Sequence, residues 1–190
     1  MAQQTNFAEE MMSAGRGVLA LLVGDRQAGR FFDFSQRGLV GSFIAMLLVT
    51  ALNAVLPLVL GLAGDGIGRG IFMVVLLFGL QLAFAALVLR QLNRLDGFVP
   101  YLVADNWATF FLTLISSALA AAGFAGDMML IVLGIVVLII EVNVARLIVT
   151  LSPLQIAMFL IAQLVGVTIG LVLIGFTFPL PPEVAAQLAS

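Results

Sequence analysis

The sequence predicts an all-α fold, a polytopic integral membrane helix bundle with five transmembrane helices and an N-terminal amphipathic helix. Three observations carry this. Of the 190 residues, 63% are hydrophobic and only 9% charged, where soluble domains carry about a quarter charged residues. Five apolar stretches fill residues 39–178, each close to the ~20 residues that cross a ~30 Å hydrocarbon core. Seven of the eight Arg fall on one side of a five-pass topology, the side that the positive-inside rule makes cytoplasmic. The chain divides into an interfacial segment over 1–37, a transmembrane domain over 38–178 and a short tail over 179–190 on the far side. Short links between the spans leave no room for a soluble catalytic domain.

Missing residue types narrow the chemistry. The chain has no His, no Cys and no Lys, so zinc sites of the Cys/His kind, haem ligated by His or Cys, iron–sulfur clusters, thiol catalysis, Schiff bases and Ser-His nucleophiles are all excluded. No enzyme activity, cofactor, metal or nucleic-acid partner is expected.

Glu9 and Glu10 stand where a signal peptide needs basic residues, and the apolar run Val18 to Val23 is too short for one, so the N-terminus reads as retained. Asn6 and Glu9 fit a capping box, and Phe7, Met11, Met12, Val18, Leu19 and Leu22 recur at roughly helical spacing. The prediction is a short amphipathic helix in the membrane interface, weakened by Gly15 and Gly17. Then Arg26, Arg30 and Arg37 stand among Phe31, Phe32 and Phe34. Aromatics sit well at headgroup depth and Arg pairs with anionic headgroups, which makes this stretch an interfacial anchor. A docking surface for a partner is the alternative.

The first span is placed at about 39–62, with a bend near Asn53 and Pro57, because proline removes a backbone donor. Gly64 to Gly70 reads as a flexible turn, since a dinucleotide fingerprint needs a strand before its glycines. The second span covers about 71–89. The third is placed at about 107–122, after a polar and aromatic stretch in which Tyr101 and Trp107 read as an interfacial belt.

The fourth span, about 128–150, carries Glu141, Asn143 and Arg146 in an aliphatic run. Glu141 shares a stripe with Gly134, Leu138, Ala145 and Ile148, while Asn143 and Arg146 lie on another, which predicts protein on two sides and a central place in the bundle. Glu141 and Arg146 are about 140° apart around the helix, so Glu141 is expected to meet Gln81 or Asn53 on another helix, or to sit protonated. The fifth span, about 154–178, follows Ser152-Pro153. Its Ala162, Gly166 and Gly170 form a small-xxx-small row, read as packing within the chain, with a homodimer face as the alternative.

Arg counting puts Arg16, Arg26, Arg30, Arg37, Arg90, Arg94 and Arg146 in the cytoplasm and only Arg69 outside. The expected location is a bacterial inner membrane, with the N-terminus cytoplasmic and the C-terminus periplasmic.

An N-terminal amphipathic segment, five closely spaced spans and a short tail across the membrane resemble the Yip family of Ypt-interacting membrane proteins and its bacterial relatives. Phe31-Phe32-Asp33-Phe34-Ser35 with Gly38 and Ser42-Phe43, and the run from Phe98 to Ala108, are also similar to small alphaproteobacterial membrane proteins. The acidic-tyrosine-glycine-proline motif of the eukaryotic Yip proteins is absent, so no site residue carries over. The topology, the interfacial Arg/Phe segment and the packing row are all that a non-catalytic role as scaffold, assembly factor or membrane organiser needs, in contact with the bilayer, anionic headgroups and a membrane-protein partner or second copy, and this is the expected function. The alternative is a small transporter or channel lined by Glu141, Asn143, Gln81, Asn53 and Gln163, because intramembrane ionisable residues mark functional sites by default.

Overall fold

The computed structural model describes residues 6–59, 67–124 and 126–178, apart from the side chains of 54–59 and 67. Among the described residues six helices follow one another: α1 (Phe7–Leu22), α2 (Gln36–Val59), α3 (Ile67–Gln91), α4 (Phe98–Ala121), α5 (Asp127–Asn143) and α6 (Pro153–Thr177). Short 3₁₀ turns at Ala28–Phe31 and Leu95–Gly97 precede α2 and α4, and a π turn at Val144–Ile148 extends α5. There is no strand among the described residues. The segments Gln36–Asn53, Gly68–Gln91, Leu95–Ala121, Asp127–Ile148 and Pro153–Thr177 are long and apolar enough to cross a membrane, so the chain is a multi-pass membrane helix bundle. The proline bend at Pro57, the glycines from Gly64 to Gly66 and the tail 179–190 lie outside the described side chains or residues. Gly68 and Gly70 belong to the first turn of α3 rather than to a loop.

Two helix pairs dominate, α3 with α6 and α2 with α4. In the first, the small residues of α6 receive α3. A Cβ on Gly166 would stand 3.0 Å from the Phe84 ring and one on Gly170 2.7 Å from Leu77. The Ala162, Gly166, Gly170 row is thus occupied within the chain, because lipid tails offer no hydrophobic drive between helices and close backbone approach supplies the dispersion contact instead.

The third span starts nine residues earlier than the sequence suggested, at Phe98 rather than Trp107. Pro100 is in the first turn, where the missing N–H has no helical partner to lose. Tyr101 and Trp107 are therefore not an interfacial belt. Both are completely buried, Trp107 stacked on Phe111, edge-on to Phe110 and tilted against Phe7, and Tyr101 edge-on to Phe159. The central helix is α4, half of whose span is buried, against 22% for α5. Gly134 meets nothing within 4 Å, so the outer part of α5 makes none of the close contacts its glycine had suggested.

Helix α1 opens on its capping box, with the Asn6 N–H donating to the Glu9 carboxylate at 3.2 Å. Its inner face does not lie on lipid. Ala14, Val18 and Leu21 are buried as the helix packs on α4 and α5. Gly15 and Gly17, which lower helix propensity, are where aromatic rings press closest: a Cβ on Gly15 would lie 3.1 Å from Phe111, and one on Gly17 2.6 Å from Phe32.

Candidate functional site: a carboxyl pair inside the bundle

The chain crosses itself so that α3, α4, α5 and α6 each bring a polar side chain to one place. Tyr101 and Asp105 lie one turn apart on α4, which puts both on one face. The Tyr101 hydroxyl donates to Gln163 Oε1 on α6 at 2.8 Å, and Gln81 Nε2 on α3 donates to the same oxygen at 3.0 Å. Using Oε1 for both turns the Gln163 amide nitrogen toward Glu141 of α5. Gln163 Nε2 and Glu141 Oε2 are both buried and short of hydrogen-bond geometry. The Glu141 and Asp105 carboxyls lie side by side, both lining one small cavity between α4 and α5. Two neighbouring carboxyls can bond to one another only when one of them carries a proton, since a carboxylate has no donor.

Of the residues singled out from the sequence, the structure gathers Glu141, Gln81 and Gln163 and separates the rest. Asn53 does not reach Glu141. It bonds along its own helix to the Val49 carbonyl and accepts the Ser117 hydroxyl of α4 at 2.8 Å. Asn143 points the other way and donates to the Leu21 carbonyl of α1 at 2.8 Å. The same carbonyl accepts the Gly24 N–H at 3.0 Å, so Asn143 adds a second donor at the end of α1 and ties it to α5. Arg146 is exposed on the π turn. The second acid, Asp105, was missed because Pro100, Asp105 and Asn106 lower local hydropathy and mimic a loop. The spacing Tyr101, Asp105, Thr109, Thr113 was the available signal, a four-residue repeat that only a helix turns into one stripe.

Around this centre, further polar groups tie helices together. Asn106 donates to Ser42 of α2 at 3.1 Å. Arg94, between α3 and α4, donates to the carbonyl of Thr150 at 3.0 Å, to the Val149 carbonyl and to the Thr150 hydroxyl. It thereby holds a β-branched residue at φ 59°, a region that side chains of this type rarely adopt.

The interfacial anchor is only partly lipid-facing. Arg26, Arg30 and Arg37 are exposed, but Phe32 is buried against Gly17, stacked with Phe34. Phe31 carries the Arg30 guanidinium over its ring at 4.7 Å, and its carbonyl accepts the Ser13 hydroxyl of α1 at 2.8 Å. The aromatics thus fasten this segment to α1. Beside it, burial and the nearby Asp33 push the Glu10 carboxyl above the usual carboxylate range, against the pull of Arg37.

In comparisons with known proteins, no family model, no curated protein and no solved structure matches the chain.

Proposed function

We propose that this is a non-catalytic protein of a bacterial inner membrane, acting as a scaffold, assembly factor or membrane organiser in the manner of the Yip family. The supporting observation is how the neutral polar side chains of the spans are used. Asn53, Gln81, Asn143 and Gln163, which a transport path would need as lining, each hydrogen-bond another helix. They hold helices in register. The segment from α1 to Arg37 is fastened onto the bundle and presents Arg26, Arg30 and Arg37 outward, a surface suited to anionic headgroups or an acidic partner segment. With the Arg-bearing end in the cytoplasm, the N-terminus is cytoplasmic and Ser190 periplasmic.

The test is affinity purification in mild detergent with quantitative protein identification. A partner at near-stoichiometric ratio, lost on Arg26→Ala with Arg30→Ala, supports the reading. Solute translocation by the purified protein alone in liposomes overturns it. Reporter fusions between Arg90 and Asp96 and after Ser190 check the orientation; equal signal from both positions would remove the five-pass topology. A second reading, a small transporter around Glu141, rests on one specific observation, the presence of Asp105 against Glu141.

A further inference from the structure

Asp105 and Glu141 border a cavity of about 160 Å³ between α4 and α5, whose other walls include Thr109, Thr113, Val137 and Ile140. Asp105, Thr109 and Thr113 repeat every four residues, so they form one oxygen-bearing stripe down α4. Other threonines in the bundle close their hydroxyls on the carbonyl one turn back, as Thr50 does on Met46, Thr168 on Leu164 and Thr177 on Leu173. Neither Thr109 nor Thr113 makes such a bond among the described residues, which leaves both hydroxyls available to the cavity. Asp105 is only 5% exposed, and it borders this cavity beside the Glu141 carboxyl. Gln163, 6% exposed, turns an unpartnered Nε2 toward Glu141.

The charge on this site selects its ligand. A carboxyl pair that shares one proton keeps one negative charge, which is expensive to hold unpaired at membrane depth. One monovalent cation neutralises it. A divalent ion would leave the opposite charge uncompensated unless the shared proton were also expelled. Carboxylate and hydroxyl oxygens are hard ligands and suit hard cations rather than soft transition metals. A cavity of about 160 Å³ holds such an ion with a few waters, each of which takes about 30 Å³.

We propose that the cleft between α4 and α5 binds a small hard monovalent cation of the sodium type, held by the Asp105 and Glu141 carboxyls with the Thr109 and Thr113 hydroxyls. The site is independent of the scaffold role. Tyr101 is the other titratable group bearing on the pair, and α3 and α6 add the neutral amides of Gln81 and Gln163. Because the cation occupies the charged pair, it competes with the second proton and binds more tightly as pH rises.

The experiment is thermal unfolding of the full chain in detergent or lipid nanodiscs, in sodium, lithium and choline chloride at equal ionic strength, in mildly acid and mildly alkaline buffer. Sodium should raise the Tm by several degrees over choline, with the larger shift in alkaline buffer. Asp105→Asn and Thr109→Val should lose most of that shift, and Arg146→Ala, on the exposed π turn, should retain it. Equal Tm in sodium, lithium and choline at both pH values overturns the proposal from the wild-type chain alone, even if a variant fails to fold. So does a stability that follows pH with no difference between cations, which marks a proton site only. An unchanged sodium shift in a folded Asp105→Asn chain overturns it as well.

Discussion

From Ile140 to Leu151 the α5 segment buries Ile140, Asn143, Val144, Ala145, Val149 and Leu151, whereas from Met128 to Ile139 the same helix is exposed over most of its surface. The composition of the two halves barely explains this, since the exposed half is the more hydrophobic. In a bilayer, apolar surface gains little by meeting protein rather than lipid, so hydrophobicity does not say which face is covered. Shape and polar pairing do. At the Arg-bearing end, α1 and the turn after it fill the space beside α4 and α5, and Asn143, Arg94 and the Asp105–Glu141 pair tie neighbouring segments. At the other end, from Met128 to Ile139, α5 carries only Met, Leu, Ile, Val and Gly and has no such wedge.

The contrast can be broken most severely at its centre. Trp107→Ala removes the ring on which Phe7, Phe110 and Phe111 pack, and should cost about 2–4 kcal/mol, mostly as an unfilled cavity. Leu130→Ala on the exposed half of α5 should stay within about 0.5 kcal/mol of wild type. Both are read by reversible unfolding in the same mixed detergent, and equal costs would mean the two halves do not differ in packing.

A somewhat smaller effect is expected for Gly170→Leu. It inserts a side chain where a single Cβ already comes within 2.7 Å of Leu77, so it should cost about 1–3 kcal/mol by overpacking. Gly134→Leu, on the open face, should be neutral or stabilising. If the two substitutions behave alike in unfolding, the α3–α6 contact is not a close one.

Glu141→Leu and Glu141→Gln sharpen the polar side of the comparison. Leu leaves Asp105 buried without its partner, at about 1–3 kcal/mol. Gln keeps a donor for Asp105 and should retain most of the stability. Comparable melting of both variants would show that the carboxyl pair contributes nothing to holding α4 against α5.

The smallest effect is expected at Glu10. Its carboxyl binds a proton more readily in the folded chain than in the unfolded one. Stability therefore rises as pH falls through the raised value toward the ordinary Glu value, and that gain is absent at neutral pH. Glu10→Gln should flatten this dependence in pH-resolved melting, and a profile as steep as wild type would place its origin elsewhere.

Much of the fold was legible because membrane spans announce themselves in one dimension: twenty apolar residues need no neighbour to declare their length. The boundary of α4 was not, because Pro100, Asp105 and Asn106 look like a loop until partner helices meet them, Asn106 donating to Ser42 and Asp105 set beside Glu141. Gly15 and Gly17 read as defects of α1 and turn out to be the places where Phe111 and Phe32 approach. Glu141 stood out from its aliphatic run, yet its partner lay 36 residues away on a segment assigned to a link.

The sequence by itself determined that the chain is a five-span helix bundle, which end carries the Arg residues and which chemistries the missing His, Cys and Lys rule out. These are properties of single segments and of composition. Only the tertiary structure decided that α4 rather than α5 is central, that Tyr101 and Trp107 are core residues, and that Asp105 and Glu141 share a site. In lipid all apolar faces are nearly equivalent, and helix pairing follows from the fit of small residues to rings and from polar partners far apart in the chain.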